Sequence, residues 1–449
     1  MLRLTGFTFA TFIALCSESP SPTHDVAPAT RDSRPATVDV RELIAAAHGA
    51  PPVVCALAAQ AVDGWGSWND APVTPLPRPG RRESRHERLA TDDVQFLLSN
   101  LGAGDACVSE LAVRLLASDE SEAVTDGLVR NLAAPDSSVR MVTALGLGLS
   151  APSSATDALI RVVDDRSIGV RANAVWALGR IGDGRAVRPA TTALRDQSPI
   201  VRQAAAGALG QLDSTSAIAA LTRVLGSDDV ASVRRTAAWA LGQLEAREAT
   251  DGLVTALRSD KDAAVREMSA WALGNIEARG AGASLLAAAQ HDTDESVRET
   301  AVWAIGNLED NSAGTALGQI LASDDNSDVR ASAAWALGQL DIKVAPKGLL
   351  DALGDADTDL RVRAAWALGQ IGDEAALPAI RTALSREPDA QARKAEVRAL
   401  IRSGERSEQL TELLKSKDAD VRETAIRGIA GGDGMDPWPW PEPRPRPFP

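Results

Sequence analysis

The residues that most often carry catalysis, metal binding or disulfide frameworks are scarce in this sequence. It holds four His, three Cys and no Tyr, and aromatic residues make up only 3% of its 449 residues. Ala, Leu and Val must therefore supply most of the buried surface, and Ala and Leu favour closely packed helices. Because the chain is longer than one compact core usually supports, we expect several domains or a repeat whose core grows along one axis.

No common catalytic or metal-binding motif is present. The sequence lacks HExxH, P-loop and GxSxG patterns, and Cys16, Cys55 and Cys107 have no CxxC spacing. The histidines are scattered singly along the chain, at His24, His48, His86 and His291. We therefore predict no catalytic residue, no cofactor and no metal site.

The sequence also lacks an excess of basic residues over acidic ones. The formal net charge is −14 and the pI is about 4.9, whereas general nucleic-acid binding requires a basic surface that displaces counterions. We therefore predict no nucleic-acid partner.

Residues 1–16 have the pattern of a secretory signal, since one Arg is followed by an apolar run and then by a polar stretch. The run is too short to span a bilayer, so we predict an exported protein that is periplasmic or associated with a bacterial cell envelope. Ile13-Ala14-Leu15-Cys16 resembles a lipobox, which makes Cys16 a candidate lipid anchor. Ordinary cleavage nearby and the absence of any signal are the alternatives. In an exported chain Cys55 and Cys107 can pair, and two free buried thiols are the alternative.

Composition divides the rest of the chain into three parts. Residues 17–90 form a linker that contains a short helical hairpin over 39–63. Residues 91–431 are periodic. Residues 432–449 are Pro-rich, which excludes a helix or an interior strand and predicts an extended, disordered tail. The alternative is that this Pro/Arg segment docks on its own repeats or on a neighbouring copy.

One motif recurs at a spacing of 31 or 32 residues and determines the fold. We number each copy from its opening Val or Leu at position 0, followed by Arg at position 1 and often by Trp-Ala-Leu-Gly at positions 6–9. Strong copies open at Val170, Val201, Val233, Val265, Val297, Val329 and Leu360. Weaker copies open at Val139, Ala392 and Val421, with a degenerate one at Val108.

Each period contains two helical stretches, for example residues 186–194 and 200–212. In the second helix, positions 0, 4, 7, 8 and 11 lie within about 100° of one another and form a buried face. No single hairpin can bury this face alone, so neighbouring copies must stack. The sequence predicts an all-α solenoid of about 10–11 stacked helical hairpins.

These repeats resemble the HEAT-like repeats of the phycobilin-lyase type, which also occur in designed HEAT-like binding proteins. The resemblance covers roughly residues 105–431. It implies a right-handed superhelix in which the second helices line the concave surface. It implies little about function, because this fold serves many unrelated tasks.

An Asp precedes the Arg at position 1 by six residues in seven copies. In HEAT proteins such an Asp and Arg form a ladder between repeats, which implies charge-assisted bonds that fix the register. Because the pair recurs, we interpret it as structural rather than catalytic. The predicted pairs are Asp165 with Arg171, Asp196 with Arg202, Asp228 with Arg234, Asp260 with Arg266, Asp292 with Arg298, Asp324 with Arg330 and Asp355 with Arg361.

Six tryptophans occupy position 6, and an amide or Arg follows at position 10. Position 6 lies about 145° from the centre of the buried stripe, so we predict that the indoles are exposed on the concave surface and that replacing one barely affects folding. The predicted binding pairs are Trp176 with Arg180, Trp239 with Gln243, Trp271 with Asn275, Trp303 with Asn307, Trp335 with Gln339 and Trp366 with Gln370.

This pairing is similar to that of armadillo-type nuclear-import receptors, which hold extended basic peptides. Gly207 interrupts the row, and Glu267 and Glu299 at position 2 would favour a cationic or Arg-bearing ligand. The alternative is that the indoles cover the rims of neighbouring hairpins.

The favoured function is a non-catalytic scaffold that binds another protein or an extended peptide, with Arg/Pro-containing segments as the expected ligand. A HEAT-repeat enzyme of the deoxyhypusine hydroxylase or bilin lyase kind and a purely structural solenoid are the alternatives. The hydroxylase binds two irons through several His-Glu dipeptides, whereas here only His86-Glu87 matches, in a linker outside the repeats.

Overall fold

The computed structural model describes residues 39–51, 55, 88–405 and 407–430, without the side chains of residues 407 and 408. These residues contain 23 α-helices and no β-strand. They fall into two compact units, one ending at Leu212 and one beginning at Asp213. The all-α repeat fold predicted from the sequence is confirmed.

The first unit contains one single helix and four helical hairpins. Helix α1 (Val40–Ala47) packs on the first hairpin and buries Ile44 there. A disulfide joins Cys55 to Cys107 of that hairpin, with Cα atoms 5.5 Å apart, so the pairing that the sequence left open is present. The hairpins are α2 (Thr91–Asn100) with α3 (Ala106–Ala117), α4 (Glu122–Asn131) with α5 (Ser137–Ser150), α6 (Thr156–Ile160) with α7 (Ile168–Ile181), and α8 (Val187–Ala193) with α9 (Pro199–Gln211).

The second unit contains seven hairpins, which brings the described total to the eleven at the upper end of the prediction. They are α10 (Ile218–Ser227) with α11 (Ala231–Gln243), α12 (Thr250–Ser259) with α13 (Ala263–Asn275), α14 (Gly282–His291) with α15 (Glu295–Asn307), α16 (Gly314–Ser323) with α17 (Ser327–Gln339), α18 (Lys347–Asp351) with α19 (Thr358–Ile371), α20 (Leu377–Leu384) with α21 (Ala390–Arg402), and α22 (Ser407–Leu413) with α23 (Ala419–Ile429).

The turn inside each hairpin is built by two polar residues two positions apart. Asp260 accepts a hydrogen bond from the N–H of Asp262 at 3.0 Å, and Asp262 caps α13 by accepting from the N–H groups of Ala264 and Val265. These bonds satisfy donors that have no partner inside a helix. The arrangement recurs at Asp292/Asp294 and at Asp324/Asn326.

The second helices are buried on nearly every side. In α13 the predicted stripe is buried, and so are Met268, Ala270 and Trp271 outside it. The reason is that α13 packs against its own first helix, α12, and also against the second helices before and after it, α11 and α15. A second helix in the stack is therefore buried on more faces than the one stripe of positions 0, 4, 7, 8 and 11 that the sequence predicted.

Candidate functional site

The predicted tryptophan row is largely hidden in the structure. The indoles of Trp176, Trp239, Trp271, Trp303 and Trp335 are only 2–9% exposed. Trp366 is half-buried. The prediction that these side chains stand exposed is therefore wrong.

Five of the six indoles, all except that of Trp239, lie over the glycine at position 9 of the preceding repeat, which covers them. A Cβ added at Gly242 would lie 2.5 Å from Cζ3 of Trp271, and one added at Gly306 would lie 2.7 Å from Cζ3 of Trp335. The absence of a side chain at position 9 thus leaves room for the next indole, which supports the alternative of packing between hairpins. The other such pairs are Gly148/Trp176, Gly274/Trp303 and Gly338/Trp366.

The position-10 side chains lie at the accessible C-terminal ends of the second helices. Asn275 donates a hydrogen bond to the carbonyl of Gly242 in the preceding repeat at 3.0 Å, so part of its bonding capacity is used within the fold. The amides of Asn307 and Gln339 form no hydrogen bond with another described residue. Gln243, Asn275 and Gln339 are exposed, while Arg180, Asn307 and Gln370 are half-buried.

Polar residues of three consecutive repeats line one cavity in the second unit. Its volume is about 370 Å³, and it lies where α13, α15 and α17 end. Helix C-termini carry a partial negative charge, so the cavity lies in a region of negative potential. Its lining comprises Gly274, Asn275, Glu277, Gly306, Asn307, Glu309 and Gln339. We call it the amide cavity.

Sequence reasoning missed the carboxylates of this region. Glu245, Glu277 and Glu309 follow the amide by two residues and have φ angles of 47°, 51° and 53°, a left-handed conformation that costs a non-glycine residue roughly 1–2 kcal/mol. Gly182 and Gly372 hold the equivalent position elsewhere, with φ angles of 76° and 67°. The recurrence of an acidic residue two positions after an amide, every 32 residues, would have revealed the row.

These three glutamates are unfavourable for local stability in two ways. Glycine would adopt the left-handed backbone without strain, and negative charge at a helix C-terminus opposes the helix dipole. Backbone strain of this kind is characteristic of functional positions. Glu277 also lies 3.8 Å from Arg247, but both side chains are exposed, and such a pair contributes little.

Glu267 and Glu299 are half-buried between second helices. Burial raises the pKa of both carboxyl groups. Arg235 on the preceding second helix partly offsets this for Glu267, and Glu299 accepts a hydrogen bond from the hydroxyl of Ser332 on the following one at 3.4 Å. These two carboxyls are therefore less accessible than Glu277 and Glu309.

The Asp–Arg ladder has a different pairing from the one predicted. Arg266 donates from Nε and Nη2 to the carboxylate of Asp292 in the next repeat, both at 2.8 Å, while its Nη1 donates to the backbone carbonyl of Asp260 at 3.0 Å. The residue six positions earlier thus supplies a carbonyl oxygen rather than its carboxylate. The same correction applies to Asp165 with Arg171, Asp196 with Arg202, Asp228 with Arg234, Asp292 with Arg298, Asp324 with Arg330 and Asp355 with Arg361.

Arg202 and Arg330 depart from the prediction in the same way. Nη1 of Arg202 donates to the backbone carbonyl of Asp196 at 3.1 Å. Nη1 of Arg330 donates to the backbone carbonyl of Asp324 at 3.0 Å. The carboxylates of both aspartates accept bonds from the Arg of the preceding repeat instead. The predicted carboxylate pairings of Arg202 and Arg330 are therefore wrong, because the carboxylate of each Asp is bonded to the Arg of the preceding repeat.

The ladder bonds cross from one repeat to the next. They include three residues that the sequence pattern did not single out, Arg140, Arg393 and Asp418, and a Glu in place of Asp at Glu387. The crossing pairs besides Arg266/Asp292 are Arg140/Asp165, Arg171/Asp196, Arg234/Asp260, Arg298/Asp324, Arg361/Glu387 and Arg393/Asp418.

Hydrogen bonding keeps both members of the ladder ionised. Bonds from Arg140 hold the pKa of Asp165 below its ordinary value. Partial burial alone would raise the pKa of Asp292, but bonds from Arg266 and from the Asp294 N–H lower it on balance, and the same contact raises the pKa of Arg266. The carboxylates and guanidinium groups of the ladder are bonded to each other, which is consistent with a structural role.

The described residues include His48 and His291 but not His86-Glu87, which lies outside them. Among them, no group of three or more His, Cys, Asp or Glu side chains is placed to hold a metal ion. None of the described helices combines the length and apolar character needed to cross a membrane.

The repeats match the sequence model of a known family. A model described as HEAT repeats matches residues 125–195, 156–242, 187–274, 250–338 and 346–430, which together cover more than half of the chain. The chain belongs to the HEAT-repeat family. The match is to HEAT repeats in general and does not single out the phycobilin-lyase type. No protein of curated function matches the sequence.

Solved structures of importin β are similar in fold to this HEAT-repeat chain. Importin β in an ammonium sulfate condition is 13% identical over 87% of this chain and 64% of its own, with a TM-score of 0.58. Kap95p, in a structure concerned with its binding to RanGDP, is 16% identical over 75% and 56%, with a TM-score of 0.54. Yeast importin β (Kap95p) is 15% identical over 76% and 57%, with a TM-score of 0.50. The chain thus spans less than two thirds of these structures, and the likeness shows the fold alone.

Proposed function

We propose that this HEAT-repeat protein is a non-catalytic scaffold that binds another protein through the amide cavity of its second unit. The observation that carries the proposal is the alignment of amides and carboxylates from three consecutive repeats around one accessible cavity. Amide side chains offer both donors and acceptors to the backbone of an extended peptide. Kap95p, which is similar in fold, binds RanGDP, and this supports protein binding as a class of function without supplying the partner.

The ligand chemistry that fits the cavity is an extended peptide segment that carries Arg and Pro. Glu277 and Glu309, together with the C-terminal ends of three helices, favour a cation, and Pro keeps a peptide extended. Arg is well suited because its guanidinium forms bidentate bonds with carboxylates. In this proposal Trp271, Trp303 and Trp335 hold the repeats in register and do not themselves contact the ligand.

A binding measurement on the full chain tests this proposal. A fluorescein-labelled peptide of alternating Arg and Pro should bind and should lose affinity as salt is added, whereas a Glu/Pro peptide of equal length should not bind. The double change Asn307→Ala with Gln339→Ala should weaken Arg/Pro binding by about tenfold, or about 1.4 kcal/mol. Gln243→Ala with Gln370→Ala, outside the cavity, is the matched control. Equal binding of both peptides, or equal affinity of the two double variants, would contradict the proposal.

We propose further that the chain is not an enzyme. The recurring charged residues of its ladder are bonded to each other, and the hydroxylase alternative requires several His-Glu dipeptides where the sequence has one. Elemental analysis of the purified full chain should find no stoichiometric iron or zinc. Two tightly bound irons per chain would contradict the proposal of a scaffold without catalytic activity.

We also propose that the chain is exported. The Cys55–Cys107 disulfide supports this, because disulfides persist in oxidising compartments and are rare in the cytosol. In protein taken from the periplasm, both cysteines should react with a thiol reagent only after reduction. Lipidation of Cys16 and docking of residues 432–449 on the repeats stay predictions, since these residues lie outside the described part of the chain.

A further inference from the structure

The last described hairpin has an apolar face that no described residue covers. Ile426 and Ile429 occupy positions 5 and 8 of α23, and their exposed fractions are 56% and 38%. In the six earlier second helices of the second unit, the residues at these positions are only 0–2% exposed. At position 5 they are Ala238, Ala270, Val302, Ala334, Ala365 and Val397, and at position 8 they are Leu241, Leu273, Ile305, Leu337, Leu368 and Leu400.

The difference follows from stacking. Each earlier second helix of this unit contacts the second helix of the following repeat, as α21 contacts α23. No described helix follows α23. Its two large aliphatic side chains are therefore exposed, whereas the residues at the same positions in the earlier repeats are covered by the next second helix. A repeat array requires a cap at such an end, because an uncovered repeat face reduces solubility.

The first unit shows that this chain can cover a hairpin with a segment that is not a repeat. There α1 lies against α2 and α3, and its Ile44 and Ala47 are 1–2% exposed. The disulfide between Cys55 and Cys107 ties the residues after α1 to the same hairpin.

We propose that residues 432–449 cap α23 by laying Trp438 and Trp440 on Ile426 and Ile429. The segment begins three residues after Ile429, and its residues 436–449, DPWPWPEPRPRPFP, alternate Pro with aromatic or charged residues. Pro at this frequency excludes another helical hairpin, so the face cannot be covered by a further repeat from these residues. An extended segment has no core of its own in which to bury aromatic rings, so contact with a neighbouring apolar surface is what would remove them from water.

Length and area both favour this occupant. Trp438 and Trp440 follow Ile429 by nine and eleven residues. A chain of that length, if extended at about 3.1 Å per residue, can reach roughly 30 Å, whereas one layer of helices is about 10 Å thick. A second copy of the chain is the competing occupant. A stable dimer buries roughly 1,200 Å² or more, far above what two partly exposed Ile side chains provide. This inference is independent of what the amide cavity binds.

Hydrogen exchange in the full chain tests the cap. Trp438→Ser with Trp440→Ser should speed amide exchange in α23 by about tenfold and leave exchange in α13 and α15 unchanged, because only the last hairpin loses its cover. Trp65→Ser with Trp68→Ser, two equivalent changes outside the repeats, is the matched control and should leave α23 unaffected. The mass in solution is measured by light scattering on the same samples. Unchanged exchange in α23 would overturn the proposal, and so would protection of α23 that appears only with dimer formation.

Discussion

Five of the six tryptophans at position 6 lie against a glycine of the preceding repeat. Trp303 lies over Gly274, and Trp335 lies over Gly306. The indole therefore fills a space that exists only because position 9 has no side chain. This pairing explains why the two residue types recur together, and it makes the tryptophans part of the interface between repeats.

Trp303→Ala should accordingly destabilise the protein by about 3–5 kcal/mol, the usual cost of emptying a buried aromatic site. Chemical unfolding followed by circular dichroism measures this, and Asn307→Ala, one turn further along α15, serves as a control expected to stay within about 0.5 kcal/mol. If the Trp303→Ala protein were as stable as the control, the indoles would have to be exposed rather than packed between repeats.

The complementary change is to fill the glycine. Gly306→Ala places a Cβ against Trp335 and should cost about 1–3 kcal/mol through overpacking. Gly226→Ala in α10 is the matched control, since nothing lies within 4 Å of a Cβ there, and it should be neutral or stabilising by up to about 1 kcal/mol. If both variants unfold at the same denaturant concentration, Gly306 does not accommodate the indole.

One core position holds an unexpected acid. Glu396 is at position 4 of α21, where the seven strong copies have Ala or Ser, and it is fully buried. Neither carboxylate oxygen has a hydrogen-bond partner among the described residues. Burial, with a smaller contribution from Glu387, raises its pKa to about 8, although Arg361 and Arg393 act in the opposite direction.

This pKa predicts a pH dependence of stability. Because the folded value lies above the ordinary 4.5, the protonated form is favoured in the fold, and its contribution is complete below about pH 4.5 and lost as the pH rises towards 8. The loss should be on the order of 5 kcal/mol, because each unit of pKa difference corresponds to about 1.4 kcal/mol. Urea unfolding at pH 5 and pH 8.5 measures it, and Glu396→Ala should abolish the difference. An equal pH dependence in the variant would rule out Glu396 as its source.

Between elements, bonds of the Asp–Arg ladder join one repeat to the next, as between Arg266 and Asp292. Arg266 and Asp292 are both largely buried and bonded bidentately, so removing the carboxylate leaves a guanidinium without its main partner. Asp292→Ala should cost about 1–3 kcal/mol at pH 7.

Asp355→Ala is the matched control for this change. Asp355 accepts the same turn bond, from the Asp357 N–H, but within the described residues no Arg bonds to its carboxylate. The pKa of Asp292 is lowered in the fold, so the ladder contribution is present above its ordinary 3.8 and is lost as the pH falls through the lower folded value. Equal destabilisation by the two variants at pH 7 would mean that the crossing bond contributes nothing.

At the scale of helices, the repeat, its period and the buried stripe of each second helix could all be predicted from the sequence. Stretches expected at 186–194 and 200–212 correspond to α8 and α9 within one residue at each end, because Pro and the turn acids mark the ends. The exposure of position 6 could not be predicted from one helix, since neighbouring second helices cover it. The ladder partner was assigned six residues away because sequence spacing does not show which repeat a side chain reaches.

The amide cavity also shows this limit. Its amides were predicted from the four-residue spacing after Trp, but Glu277 and Glu309 were not, because they follow the helix and have no place in a helical periodicity. Their left-handed backbone became visible only in the structure.

In the whole molecule, two rows of residues have different tasks. The indoles and the ladder hold the repeats together, and we propose that the carboxylates and amides at the helix ends bind a cationic partner. Residues that serve the first task should lower stability when changed. Residues that serve the second should lower affinity while leaving stability unchanged or improved.

The affinity of the double variant Glu277→Gly with Glu309→Gly for the labelled Arg/Pro peptide tests this division most directly. Glycine relieves the left-handed strain, so the free energy of unfolding should be unchanged or higher by up to about 1 kcal/mol per site. The affinity should fall about tenfold or more, because the carboxylates that attract the guanidinium groups are gone. Glu245→Gly, which has the same backbone geometry outside the cavity, should change affinity far less. An unchanged affinity in the double variant would contradict the account.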